Sequence, residues 1–241
     1  QPLKDYRVYS WLKNNLASYC LLCGLKTRHR DPALCTGCLA DLPWLHNACR
    51  QCALPIPQAD SLCGQCLNRP PPFIHATAPL LYRFPVDALI PAFKYHRQAA
   101  YGRLLSQLML MRLNDYLEQH PERRPDLLVA MPMHPRRQAQ RGYNQAFELA
   151  RPLARGLSIS LHLQVLERVR DTQPQQGLNA RQRHSNLQGA FHCANTAAIR
   201  DRDIALIDDV MTTGDTAAEA SRTLLRSGAR SVQVWCAART P

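Results

Sequence analysis

The apolar positions beyond residue 74 alternate between two kinds of spacing. Short, nearly continuous apolar runs predict buried strands, and they fall within 78–84, 126–132, 160–169, 203–208 and 231–238. Stretches with apolar residues three or four positions apart predict helices at 86–98, 102–119, 143–155 and 216–226. We expect the third of these helices to bend or end near Pro152, and the fourth to be closed by Gly228.

This alternation of strands and helices predicts the fold class. It indicates an α/β domain with a mostly parallel sheet flanked by helices, in which ligands bind at the carboxyl ends of the strands. The chain before this region has few apolar residues, and the segment 68–73, NRPPPF, is stiff and rich in proline. We therefore expect an N-terminal helix and a small cysteine module within 1–67, a linker at 68–73 and the α/β domain at 74–241.

The cysteines of the N-terminal region form four CxxC pairs, which is a strong signal for structural zinc. Two pairs complete one tetrahedral site, so four pairs predict two zinc ions. Disulfides are the competing interpretation, and the absence of a recognisable secretion signal argues against them. The pairing stays open, since sequential ribbons and an interleaved cross-brace both fit. In the sequential arrangement one ion is bound by Cys20, Cys23, Cys35 and Cys38, and the other by Cys49, Cys52, Cys63 and Cys66.

Composition and charge narrow the class of protein. Apolar residues make up 46% of the chain and charged residues 20%, which excludes a disordered or low-complexity protein. The chain contains no apolar run of about 18 residues, so we expect no membrane insertion and a cytoplasmic location. The formal net charge of +12 favours polyanionic partners, including phosphates and single-stranded DNA.

The most informative segment is 204–220, IALIDDVMTTGDTAAEA. An apolar strand runs into Asp208 and Asp209, and a turn rich in hydroxyl groups then opens a helix. Backbone N–H groups and the helix N-terminus suit a phosphate, whereas the two carboxylates would repel it unless they bind hydroxyl groups or a metal ion. A sugar phosphate with a diol satisfies both halves of the segment.

This segment resembles the signature with which type I phosphoribosyltransferases bind 5-phosphoribosyl-1-pyrophosphate (PRPP). The resemblance implies that Asp208 and Asp209 hold the ribose hydroxyls, directly or through Mg²⁺. It also implies a loop for the 5-phosphate made of Thr212, Thr213, Gly214, Asp215 and Thr216.

Two further segments, 130–151 and 168–191, are similar to the ComF/GntX family, in which a CxxC zinc module precedes a phosphoribosyltransferase domain. In the first segment, the loop 131–137 is expected to bind pyrophosphate through backbone amides and through His134, Arg136 or Arg137. His134 as an ordinary loop residue is the alternative.

The second segment is too polar to pack, and we expect it to form a lid that closes over a polyphosphate. Arg170 and Arg183 are its candidate ligands, and a plain surface loop is the alternative. Lys94 and Tyr95 also match the family.

The resemblance implies a role in DNA uptake or utilisation during natural competence, alongside proteins of the competence machinery. It further implies PRPP binding with Mg²⁺ and phosphoribosyl transfer to an acceptor that the sequence does not identify. The alternatives are a PRPP-binding protein without turnover and a competence factor that binds single-stranded DNA.

Overall fold

The computed structural model describes residues 18–27, 32–58, 61–95, 98–171 and 187–241. The chain divides into two compact units, residues 1–42 and residues 43–241. The N-terminal helix expected before the first cysteine pair lies outside the described residues.

The first unit contains the first two CxxC pairs. Strands β1 (Ser18–Tyr19) and β2 (Lys26–Thr27) pair antiparallel, and helix α1 (Thr36–Ala40) follows. Cys35 caps this helix, since its sulfur accepts a hydrogen bond from the backbone N–H of Cys38. The described elements of this unit are therefore short and are organised around cysteines.

The second unit opens with the last two CxxC pairs and helix α2 (Gly64–Asn68). Its main sheet has the order β3-β10-β9-β5-β6, and every pairing in it is parallel. These strands are β3 (His75–Thr77), β5 (Leu127–Ala130), β6 (Ser160–His162), β9 (Asp203–Met211) and β10 (Ser231–Arg239). Strand β4 (Leu80–Leu81) also pairs with β10. The predicted mostly parallel sheet is confirmed.

Helices flank this sheet, in agreement with the predicted α/β class. They are α3 (Val86–Tyr95), α4 (Ala99–Gln119), α5 (Pro135–Arg141), α6 (Gln145–Leu157) and α7 (Asp215–Arg226), with a short 3-10 turn at Pro121–Arg123. Helix α6 packs against β5, β6 and β9, while α7 packs against β9 and β10. Strands β9 and β10 are apolar and buried along most of their length, as expected for the centre of a parallel sheet covered on both faces.

Three local features differ from the sequence-based expectations. Helix α6 continues through Pro152 and ends at Leu157. The single strand expected within 160–169 is two strands, β6 in the main sheet and β7 (Leu166–Arg168), which pairs antiparallel with β8 (Phe191–Cys193). Strand β3 was not predicted, because its three residues are too few to show a period.

The segment 68–73 lies within the second unit, and Phe73 is buried in its core. The third and fourth CxxC pairs therefore pack with the sheet. The division of the chain into 1–67, 68–73 and 74–241 stays a prediction about folding units. Among the described residues, no helix is long and apolar enough to cross a membrane.

Candidate functional site

The acid pair lies near the carboxyl end of β9. Residues 208–211 were expected to start a loop, but β9 continues to Met211 because β10 continues to Arg239 beside it. Asp209 is 7% exposed, and Asp208 is partly exposed. The structure thus fixes both carboxylates on the rigid sheet rather than on a loop.

Lys94 at the end of α3 neutralises part of this acidic charge. Its Nζ lies 2.7 Å from Oδ2 of Asp209. Burial lowers the pKa of Lys94, but attraction to Asp209 and Asp208 outweighs this effect and raises it. Lys94 is therefore a buried, charged partner of the acid pair.

Asp208 has the opposite tendency. Burial, together with repulsion from the Asp209 carboxylate, raises its pKa to about 7, although Lys94 and Arg168 act against this shift. Its Oδ1 accepts a hydrogen bond of 2.9 Å from the backbone N–H of Asp209. Asp208 therefore titrates in the physiological range, and a ligand that prefers the carboxylate must displace a proton below that pH.

Both acids line a cavity of about 260 Å³. The polar side chains in its lining come from α3, the β5–α5 loop, α5, α6, β7, β9 and α7: Lys94, Arg137, Arg141, Asn144, Gln145, Arg168, Asp208, Asp209 and Thr216. Two carboxylates thus face one lysine and three arginines. We call this space the acid-pair cavity.

The β5–α5 loop forms one wall of the acid-pair cavity. The backbone N–H of Met131 donates to the carbonyl of Ile207 on β9, and the Asn144 side chain donates to the carbonyl of Met131. Asn144 also caps α6 by accepting from the backbone N–H groups of Ala146 and Phe147. One asparagine therefore fixes both the loop and the start of the next helix.

The basic residues expected to bind pyrophosphate separate in the structure. Arg137 lines the acid-pair cavity, and its Nε lies 3.4 Å from Oδ1 of Asp171. His134 caps α5, since its Nδ1 accepts from the backbone N–H of Arg136, and the Arg136 side chain is exposed. Neither His134 nor Arg136 is part of the cavity lining.

The two candidate lid arginines have different outcomes. Arg170 is exposed, and its guanidinium donates to the carbonyl of Gln188. Arg183 lies outside the described residues. Their roles therefore stay predictions.

The hydroxyl-rich turn is divided between two cavities. Thr216 faces the acid-pair cavity, while Thr213, Gly214 and Asp215 line a second cavity of about 210 Å³. Thr213 Oγ1 donates to Oδ2 of Asp215 at 2.7 Å. Gly214, at φ +82°, has the left-handed backbone that starts α7, which favours glycine at this position.

The wall opposite this turn comes from the second cysteine cluster and the segment that follows it. Gln65, Arg69, Pro70 and Pro71 line the second cavity together with the turn. Arg69 and Arg222 also contribute positive charge there. Sequence analysis missed Arg69, because its position beside NRPPPF indicates a linker rather than a site.

Arg239 connects the second cysteine cluster to the turn. It is 3% exposed, and its guanidinium donates to the carbonyls of Cys52 (3.1 Å), Met211 (3.2 Å) and Thr212. Sequence analysis missed this residue too. The only signal was an arginine directly after the apolar run of β10.

Gln145 is a further residue that sequence reasoning missed. It is 3% exposed and lines the acid-pair cavity, and its Nε2 has no hydrogen-bond partner among the described residues. A buried donor without a partner is costly. Gln145 is therefore suited to donate to a ligand oxygen.

The eight cysteines form two sets that fit zinc. The sulfurs of each set lie within 4.8 Å of one another, in the sequential arrangement: Cys20, Cys23, Cys35 and Cys38, then Cys49, Cys52, Cys63 and Cys66. The Sγ–Sγ distances of 3.8 Å from Cys23 to Cys35 and 3.6 Å from Cys52 to Cys63 match the edge of about 3.8 Å expected for Zn–S bonds of about 2.3 Å. The two predicted zinc-binding sites are confirmed, and the pairing is sequential.

The local backbone favours the thiolate form that zinc requires. Burial raises the pKa of both Cys20 and Cys49, but hydrogen bonds from backbone N–H groups outweigh it. The net effect lowers the pKa of Cys20 to about 6 and that of Cys49 to about 7. Each cluster therefore contains one cysteine prepared to lose its proton.

Zinc clusters on short elements, followed by a parallel sheet with an acid pair at its carboxyl edge, define the class of this protein. Residues 13–67 match the double zinc ribbon domain family. The DNA utilization protein YhgH of Escherichia coli K12 is 34% identical over 92% of this chain and 96% of its own length. Competence protein F of Haemophilus influenzae is 33% identical over 91% of this chain and 96% of its own. The chain therefore belongs to the ComF/GntX family of competence and DNA utilization proteins.

One solved structure is similar to part of the chain. The purine phosphoribosyltransferase from Pyrococcus horikoshii Ot3 matches 55% of this chain and 70% of its own, with a TM-score of 0.33 and 14% identity. We base nothing on this slight likeness.

Proposed function

We propose that this protein binds PRPP together with Mg²⁺ in the acid-pair cavity and acts in DNA uptake or utilisation. The observation that carries the proposal is the arrangement of Asp208 and Asp209 on a rigid strand, facing one lysine and three arginines. PRPP combines a neutral diol with two phosphate-bearing arms, and both kinds of group have complementary partners here. The names of the relatives support the cellular role.

The acids are suited to the ribose. Carboxylates accept hydrogen bonds from the 2- and 3-hydroxyls, and they are also hard oxygen ligands for Mg²⁺. When bound with PRPP, Mg²⁺ would be held by Asp208 or Asp209 together with the pyrophosphate, and it would neutralise charge on the leaving group. Because Lys94 is bonded to Asp209, it also keeps that carboxylate ionised before the ligand arrives.

The arginines are suited to the pyrophosphate. Arg137, Arg141 and Arg168 come from three different elements and face the same cavity. Guanidinium groups bind phosphate oxygens in a bidentate way, and the unpartnered amide of Gln145 adds a further donor. His134, Arg136, Arg170 and Arg183 stay candidates for contacts made when a polyphosphate is bound.

The 5-phosphate is assigned to the turn 212–216. Thr213, Gly214 and Asp215 line the second cavity, in which Arg69 and Arg222 provide positive charge. Backbone N–H groups at the start of α7 add donors, as is common for phosphates at helix N-termini. In this assignment, Arg239 holds the turn in place without touching the ligand.

With an acceptor present, the expected reaction is transfer of the phosphoribosyl group. The acceptor nucleophile forms a bond to C1 of the ribose, and the bond from C1 to the pyrophosphate oxygen breaks. The acid pair places negative charge near the positive charge that develops on the sugar, and the arginines receive the leaving pyrophosphate. The protein therefore contributes electrostatics and positioning rather than a covalent intermediate.

Calorimetric titration with PRPP and Mg²⁺ tests the binding step. Asp209→Asn removes the carboxylate that pairs with Lys94, and we expect it to abolish saturable binding. Asp115→Asn, an isosteric change on the exposed face of α4, is the matched control and should bind like the parent. Equal PRPP affinity in Asp209→Asn and the parent would refute the assignment.

A pyrophosphate-release assay tests turnover separately. Release that depends on an added acceptor, and that is lost in Asp209→Asn, would support transfer. Binding without release across nucleobases, amines and single-stranded DNA would instead favour a protein that binds PRPP without turnover.

A further inference from the structure

A cavity of about 320 Å³ lies between the second cysteine cluster, β3 and the carboxyl-terminal half of α4. It shares no lining residue with the acid-pair cavity. Its titratable lining is strongly basic, with Arg50, Arg112, Arg123, His46, His75 and His120 and not one carboxylate. We call it the basic cavity.

The floor of the basic cavity is rigid and already satisfied. His75 donates from Nδ1 to the carbonyl of Arg50 at 2.5 Å, and its Nε2 accepts from the hydroxyl of Thr77 at 3.0 Å. The His75 ring stacks on Tyr116 with 4.8 Å between centroids and an angle of 3°. Arg123 in turn donates to the Tyr116 hydroxyl at 3.4 Å. These contacts fix the wall against which a ligand would lie.

The cations above this wall are incompletely neutralised. Glu122 lies 3.6 Å from Nε of Arg123 and 3.8 Å from Nδ1 of His120, but its side chain is 66% exposed and lies outside the lining. Arg50 and Arg112 form no ion pair with any residue that the structure describes. A group of positive charges with so little counter-charge attracts anions.

His75 reports the local potential independently. Burial lowers its pKa to about 4, and the positive charges of Arg123, His120 and Arg112 act in the same direction. The ring is therefore neutral at physiological pH, and the potential that disfavours its proton would favour a bound anion.

We propose that the basic cavity is a second anion site, which binds a phosphate group carried by a nucleotide or by a single-stranded oligonucleotide. Arg112 and Arg123 supply guanidinium groups suited to phosphate oxygens. The cavity is larger than one phosphate group, which leaves room for the attached sugar or base. The site uses no part of the acid pair, so it does not depend on PRPP binding.

The test compares two ligands by fluorescence anisotropy and by competition. A labelled single-stranded decamer is titrated over a range of salt concentrations, and deoxyadenosine 5-monophosphate serves as the small competitor. The variant is Arg112→Gln/Arg123→Gln, both exposed positions. The control is Arg226→Gln/Arg202→Gln, which removes the same charge from exposed positions outside every cavity described above.

We expect the parent to bind the decamer with an affinity that falls as salt rises. Removing two phosphate contacts should weaken binding at least tenfold and flatten the slope of log K against log salt by about 1.4, at about 0.7 per phosphate of a single strand. Competition by the mononucleotide in the parent, lost in the variant, would assign the site to small nucleotides.

Three results would overturn the proposal. They are no binding of either ligand to the parent, equal affinity and salt slope in parent and variant, or an equal loss in the control. An unchanged thermal transition in the variant ensures that a loss of binding is not a loss of fold. Asp209→Asn should retain oligonucleotide binding, which separates this proposal from the one for PRPP.

Discussion

Replacing Arg239 tests how closely the second zinc site and the phosphate turn are connected. Arg239→Met keeps the aliphatic length but removes the guanidinium that joins the carbonyls of Cys52, Met211 and Thr212. Each buried acceptor left without a donor costs about 1–3 kcal/mol. Removing a buried charge that forms no ion pair with a described carboxylate offsets part of this cost. We therefore expect a loss of about 3 kcal/mol, near the lower end of the sum.

The assay has two parts. In a protein of this size, about 3 kcal/mol lowers the thermal midpoint by about 6–12 °C. Hydrogen exchange of the backbone amides at 212–216 should also speed up, because the turn has lost two of its anchors. Arg226→Met, at an exposed position on α7, is the matched control and should change neither quantity. Unchanged stability and exchange in Arg239→Met would refute this account of the connection.

Three further predictions follow from the same geometry. The affinity for PRPP with Mg²⁺ should rise about tenfold from pH 6 to pH 8, because burial raises the pKa of Asp208 to about 7 and the ligand needs the carboxylate; Asp208→Asn should flatten this profile. Gly214→Ala should lower stability by about 1–2 kcal/mol in urea titrations, because its φ of +82° disfavours a side chain; no loss would contradict the described turn. Cys63→Ser should lower the melting temperature of the unit 43–241, while Cys38→Ser, in the other zinc site, should leave that unit's transition unchanged.

The cysteine spacing and the apolar runs were sufficient to predict the zinc sites and the class of sheet. Each signal is local: a CxxC pair places two sulfurs on one ion, and an apolar run as long as that of β9 has to be buried. The choice between sequential and interleaved pairing needed the structure, since it depends on how the pairs meet in space.

The candidate site was predictable only where one segment carries it. Asp208 and Asp209 stand in a recognisable segment, and Lys94 matched the family, but their ion pair joins residues more than a hundred positions apart. Arg69 and Arg239 carry no local signal, because each functions through contacts that only the packing of the second cysteine cluster on the sheet creates. The end of β9 was misplaced for a similar reason, since its length is set by pairing with β10.

The most direct test of the central claim is a hydrogen-exchange footprint of PRPP with Mg²⁺ on the parent and on Asp209→Asn. The account predicts slower exchange at 131–137 and at 212–216 in the parent, and no protection at either segment in the variant. Protection confined to other segments, or equal protection in the parent and Asp209→Asn, would contradict the claim that the acid pair and the hydroxyl-rich turn together bind PRPP.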